Sequence, residues 1–264
     1  MTWIAAYAAA GAFVGFLAGL LGIGGGMTLV PILSALFSAQ ALAPQNTVHL
    51  ALGTAMASIV FTSSASVRAH HKRGAVDWAV ARRLAPGMVL GALLATLASG
   101  FVSQRALALA FAAIVYAGAA QMLLGGRPAA ARALPGTASM LAVGTAIGVV
   151  CGLVSAGGAF LTVPFMLFCG VPLLSAIGTA AAIGIPVAVV GTVGFVASGW
   201  RVEALPQATL GFVYLPALAV LVVGSIATAP IGARLAHRLP VVTLKRVFAL
   251  LLFALATRMA LAYW

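Results

Sequence analysis

The chain has 264 residues, 64% of them hydrophobic and 6% charged, with 14 Lys+Arg against 2 Asp+Glu and a mean hydropathy of +1.19. A water-soluble domain has about a quarter of its residues charged, so this composition excludes a soluble globular protein. The basic residues stand in short clusters between long apolar runs, with no interleaved aromatic residues, so the net charge of +12 reads as a membrane-topology signal and excludes a nucleic-acid partner.

In chain order, turn and charge punctuation predicts apolar segments at 3–22, 27–39, 47–67, 84–101, 106–125, 138–155, 160–170, 173–198, 209–233 and 244–262. Barrel strands would alternate apolar with polar residues, whereas these runs are continuous. The predicted fold class is all-α, a polytopic helical membrane protein. Segments 27–39 and 160–170 are too short to cross about 30 Å of hydrocarbon, and each adjoins a glycine cluster, the pattern of a broken or re-entrant helix. The opening Met1-Thr2-Trp3-Ile4 lacks a basic stretch, so the first run is expected to remain in the mature protein. Cys151 and Cys169 both lie in apolar sequence and read as buried small side chains, giving no disulfide framework and no metal site.

The two halves repeat one another. Gly19-Leu20-Leu21-Gly22-Ile23-Gly24-Gly25-Gly26-Met27-Thr28-Leu29-Val30-Pro31 aligns without a gap on Gly152-Leu153-Val154-Ser155-Ala156-Gly157-Gly158-Ala159-Phe160-Leu161-Thr162-Val163-Pro164, and Gly15 falls on Gly148. Further on, Gly53-Thr54 matches Gly178-Thr179 across a shorter connection. The expected organisation is a first membrane repeat at 1–125, a basic linker at 126–136 and a second repeat at 137–264. In the first copy the basic loop carries Arg68, Lys72, Arg73, Arg82 and Arg83, and the next loop has only Arg105. The second copy exchanges this pattern: the stretch around Arg201 and Glu203 is nearly neutral, and Arg234, Arg238, Lys245 and Arg246 follow. Short cytoplasmic loops collect Lys and Arg, so equivalent loops are expected on opposite sides of an inner (cell) membrane, making the copies inverted repeats. With each glycine motif at the tip of a hairpin returning to its own side, both termini are expected outside the cytoplasm.

Glycines at 22 and 24–26 interrupt an apolar run at a cost of about 1 kcal/mol of helix propensity each. Such a cluster lets backbone N–H groups line an anion site at the start of the following helix; it equally suits close packing between helices. Thr47, Thr54, Ser58, Thr62 and Ser66 fall on one helical face, thinning in the second copy to Ser175 and Thr179. Hydroxyls complete an oxyanion's shell, or bond to carbonyls of their own helix. Asp77 and Glu203 are both assigned to loops, leaving no carboxylate at membrane depth and disfavouring a cation pathway. His49 reads as half-solvated near an interface, and His70, His71 and His237 as members of charged clusters.

The motif Gly22-x-Gly24-Gly25-Gly26-x4-Pro31, its copy ending at Pro164, and the Gly-Thr pairs resemble the sulfite exporter TauE/SafE family of membrane permeases over essentially the whole chain. Ser155 and Ala159 depart from its second glycine motif, and Thr54-Ala55 and Thr179-Ala180 from its Thr-Ser pairs. The resemblance implies a permease for small sulfur-containing anions, with motif positions at Gly24, Gly25, Gly26, Thr54, Gly157, Gly158 and Thr179. Ser58 and Ser155 join these as the expected substrate-lining set, with Thr54 and Thr179 facing one pocket. A small anionic substrate and the lipid bilayer are the expected partners. No enzyme activity, metal or other cofactor is expected.

Overall fold

The computed structural model describes residues 2–21, 25–124, 134–203, 205–236 and 241–264. Five helices precede the linker: α1 (Thr2–Leu21), α2 (Gly26–Ala39), α3 (Thr47–His71), α4 (Trp78–Ser99) and α5 (Gln104–Leu124). Five follow it: α6 (Thr137–Leu153), α7 (Ala159–Phe168), α8 (Leu173–Gly199), α9 (Leu215–Ala236) and α10 (Val241–Tyr263). Among the described residues α1, α3, α4, α5, α8, α9 and α10 are long and apolar enough to span a bilayer, so the protein is a multi-pass helical membrane protein. The linker residues Arg127 and Arg132, and also His237 and Arg238, lie outside the described residues.

Two boundaries differ from the sequence reading. Helix α4 begins six residues before the expected segment at 84, because Asp77 caps it: one carboxylate oxygen accepts the N–H groups of Ala79 and Val80 at 2.9 and 3.0 Å. Arg82 and Arg83 therefore ride on its first turns, and Arg68 likewise belongs to α3. The run expected from 209 opens instead as a hairpin, β1 (Thr209–Leu210) against β2 (Val213–Tyr214), with Gly211 at φ 53°, and α9 starts only at Leu215. Thr209–Leu210 pairs across that turn and cannot continue into a helix.

The helices pack across the halves. Helix α1 lies against α9, α4 against α6 and α8, α3 against α8 and α9, and α5 against α10. Gly11, Gly15 and Gly19 touch the backbone of Leu221, Ser225 and Ala229 in turn, so α1 and α9 run parallel along a small-residue seam. Gly144, Gly148 and Gly152 meet Leu84, Met88 and Ala92 in the same way, making α6 parallel to α4. The first helix of each half is thus seamed to the fourth helix of the other. At one face, the Gln40 amide donates to the Tyr7 hydroxyl at 2.6 Å, Phe37 packs edge-on to Tyr214, and Ser34 bonds Tyr263 at 2.8 Å. The start of α1, the end of α10 and the 200–214 loop therefore share that face.

Candidate functional site: two glycine turns and two loop clamps

Each short helix begins at a glycine with left-handed backbone, Gly25 at φ 78° before α2 and Gly158 at φ 95° before α7. An L side chain at either position would be strained, which accounts for the glycines ahead of any ligand. The two turns meet. A Cβ on Gly26 would strike the carbonyl of Ser155 and come within 2.9 Å of Ile59, and the Ser155 hydroxyl donates to the Leu52 carbonyl at 2.9 Å. Ser155 itself has φ 46° at the position that is Gly22 in the first copy. The Gly157 carbonyl packs against Gly184, beside the Ser63 hydroxyl. Gly26, Ser155 and Gly157 are therefore brought against α3 and α8, whereas Gly25 backs onto Val14 and Ala18 of α1 and Gly158 faces Met88 of α4. Gly24 lies outside the described residues.

The hydroxyl stripe of α3 is wholly buried. Ser58 donates to the Ala55 carbonyl at 2.8 Å, and Thr62 to the Ser58 carbonyl, so these two bond within their own helix. Ser66, which the expected site set left out, is buried with its hydroxyl unpartnered. The only signal for it in the sequence is its place at the end of the stripe.

Thr54 and Thr179, both fully buried, each hold a backbone N–H of a distant loop. The Thr54 hydroxyl accepts the N–H of Tyr214 at 2.9 Å, and the Thr179 hydroxyl accepts that of Asp77 at 2.8 Å. The glycine before each threonine lets the same loop approach: Gly53 lies under the Phe212 carbonyl and Gly178 under that of Ala75. Each loop is also tied to its own preceding helix, Phe212 N–H to Phe195 and Ala75 N–H to His70. The Gly-Thr pairs are therefore matched clamps, each gripping the loop that leads into the fourth helix of the other half.

The clamps set the direction of the central pair. The start of α3 meets the loop after α8, the start of α8 meets the loop after α3, and the two helices run antiparallel. Thr54 and Thr179 consequently stand at opposite ends of α3, about 24 Å apart along its axis. They do not face one pocket, contrary to the expectation from sequence.

Charge stays away from the meeting turns. Arg105, Arg201 and Arg258 are exposed, Glu203 sits in the 200–214 loop, and the Asp77 carboxylate is taken by the α4 cap. His49 is buried, not half-solvated: its Nε2–H donates to the carbonyls of Ser99 and Val102 at 3.1 and 3.0 Å, and its ring stacks on Phe212 at 4.9 Å. Cys151 and Cys169 are free and buried.

This arrangement, with paired glycine turns and Gly-Thr clamps across a helical membrane bundle, has sequence relatives. The profile of the family described as Sulfite exporter TauE/SafE matches residues 7–259. The chain belongs to this family. A probable membrane transporter protein of Haemophilus influenzae is 36% identical over 95% of this chain and 96% of its own length. One from Xylella fastidiosa is 29% identical over 96% and 94%, and probable membrane transporter protein YdhB of Bacillus subtilis is 24% identical over 88% and 90%. No solved structure matches. The TauE/SafE assignment makes the protein a membrane permease, with a small molecule as its cargo and the bilayer as its solvent.

Proposed function

We propose that the chain is a secondary permease for small oxyanions or sulfur-containing organic anions such as sulfite, sulfoacetate or thiosulfate, working by alternating access between two inverted repeats. The contact of Gly26 with Ser155 carries this reading. It joins the two glycine turns at mid-bundle, where the polar groups are backbone amides and hydroxyls and no carboxylate is present. The first N–H groups of α2 and α7 have no acceptor within their helices, and the positive ends of the helix dipoles favour an anion there. In this reading Gly24, Gly25, Gly26, Ser58, Ser155, Gly157 and Gly158 line the substrate, with Ser66 as an additional donor. Thr54 and Thr179 act at a distance by fixing the loops.

Support for repeats at 1–125 and 137–264, joined by linker 126–136, comes from the antiparallel α3 and α8 and from the exchanged seams. Two units rocking about the α3–α8 axis would open the glycine turns to each side in alternation. In an inner membrane the face rich in Lys and Arg is cytoplasmic, and both termini are outside.

Counterflow in proteoliposomes tests the proposal. Saturable exchange of labelled sulfite, sulfoacetate or thiosulfate, and not of a non-sulfur organic acid, is the expected result. Flux that neither saturates nor shows counterflow would make the protein an anion channel on the same scaffold. Exchange of the non-sulfur acid alone would move the substrate class.

A further inference from the structure

At the basic face, a cavity of about 400 Å³ opens between α3 and α9. Arg68 lines it from α3, Lys72 and Arg73 from the turn that follows α3, and Arg234 from α9, while Ala65 and the 44%-exposed Ile226 line its other end. The two helices run parallel here, joined near their starts by Thr54 and Tyr214 and at their ends by Arg73, whose guanidinium donates to the Ala233 carbonyl at 3.5 Å. The lining therefore passes in one direction from apolar residues at membrane depth to four cations at the helix ends. No carboxylate of this chain neutralises those cations. Of the two acidic side chains, Asp77 caps α4 and Glu203 belongs to the opposite face.

The fold contains its own control. In the register that lays Gly53 on Gly178 and Ala75 on Phe212, the equivalent cavity lies between α8 and α4 at the opposite face, about 700 Å³ in volume. There Arg68, Lys72, Arg73 and Arg234 are replaced by Val193, Ala197, Ser198 and Leu97. The same cavity forms with a single cation, Arg201, at its rim, so packing does not demand the four.

We propose that the α3–α9 cavity is a binding site for an anionic phospholipid, its phosphate held by Arg68, Lys72, Arg73 and Arg234 and the root of its acyl chains lying along Ala65 and Ile226. A free inorganic anion would use the cations but has no part to set against the apolar end; a zwitterionic lipid would use the apolar end and leave the cations uncompensated. Each basic side chain beside an anionic headgroup contributes independently of the cargo carried, so the site stands whatever substrate the glycine turns take.

Native mass spectrometry of the purified full chain, titrated with phosphatidylglycerol or phosphatidylcholine, tests this. Phosphatidylglycerol should be retained about tenfold or more over phosphatidylcholine. Arg68→Gln/Arg234→Gln should abolish that preference, Arg68→Lys/Arg234→Lys should keep it, and Arg201→Gln, at the equivalent cavity, should leave it unchanged. Millimolar inorganic phosphate or glycerol 3-phosphate should fail to displace the lipid. Equal retention of the two lipids, or an unchanged preference in a monodisperse Arg68→Gln/Arg234→Gln protein, would overturn the proposal. Displacement by phosphate alone would make the cavity a free-anion site.

Discussion

Thr179 accepts the backbone N–H of Asp77 across the boundary between the two halves, and Asp77 is the residue whose carboxylate starts α4. One hydroxyl therefore fixes where a membrane helix of the other half begins. Thr54 does the same for α9 through Tyr214, the residue immediately before Leu215.

Replacing either threonine by valine leaves a buried N–H without an acceptor. Thr54→Val and Thr179→Val should each destabilise the protein by about 1 to 3 kcal/mol, and Thr→Ser at either site should restore most of the loss. Thermal unfolding of the purified variants measures this. Unchanged stability in both valine variants would remove the clamp role.

The contact between turns predicts a split between folding and transport. Gly26→Ala places a methyl group against the Ser155 carbonyl and should abolish transport while membrane insertion persists, because the helices on either side are untouched. Gly74→Ala is the comparison: its Cβ meets open space, but its φ of 66° costs an L residue roughly 1 kcal/mol. It should lower the unfolding temperature slightly and spare transport. Uptake assays normalised to protein in the membrane separate the two.

Arg82 on α4 and Arg201 beyond α8 sit at opposite faces and are both exposed. Arg82→Cys should be protected from an impermeant thiol reagent applied to intact cells, and Arg201→Cys should label, as should a cysteine at Thr2. Labelling of Arg82→Cys with protection of Arg201→Cys would turn the protein over in the membrane.

A site built from amides and hydroxyls, with Arg105, Arg201 and Arg258 all exposed, meets one negative charge more cheaply than two, since desolvating a dianion costs more and no fixed cation repays it. For a weak-acid substrate such as sulfite, the affinity at the transport site should fall as pH rises through its second dissociation. Tighter binding of the dianion would require a cation in the site.

Most helices were legible because glycine, proline and charge interrupt an otherwise unbroken apolar text. Segment 173–198 became α8 at Leu173–Gly199, starting directly after Pro172. The start of α4 was not, since a single Asp77 in a basic stretch looks like a loop residue until its oxygen is seen on two backbone amides. The glycine turns were legible as a place, but the roles of Thr54 and Thr179 were not. Their partners, Tyr214 and Asp77, are remote in sequence, and only the antiparallel placement of α3 and α8 brings each threonine to the other half's loop. The burial of His49 is hidden in the sequence for a similar reason: the carbonyls of Ser99 and Val102 and the Phe212 ring reach it from distant segments.

The α1–α9 seam also bears on how the chain is made. Gly11, Gly15 and Gly19 have their cover on α9, and a ribosome adding about 5 to 20 residues per second supplies that cover some tens of seconds after α1 is complete. Throughout that interval the glycine face of α1 stands bare toward lipid or toward whatever protein shelters nascent helices. Helices α4 and α6, neighbours in synthesis apart from α5 and the linker, can zip together first. A chain cut before α9 leaves its first helix with no seam to close.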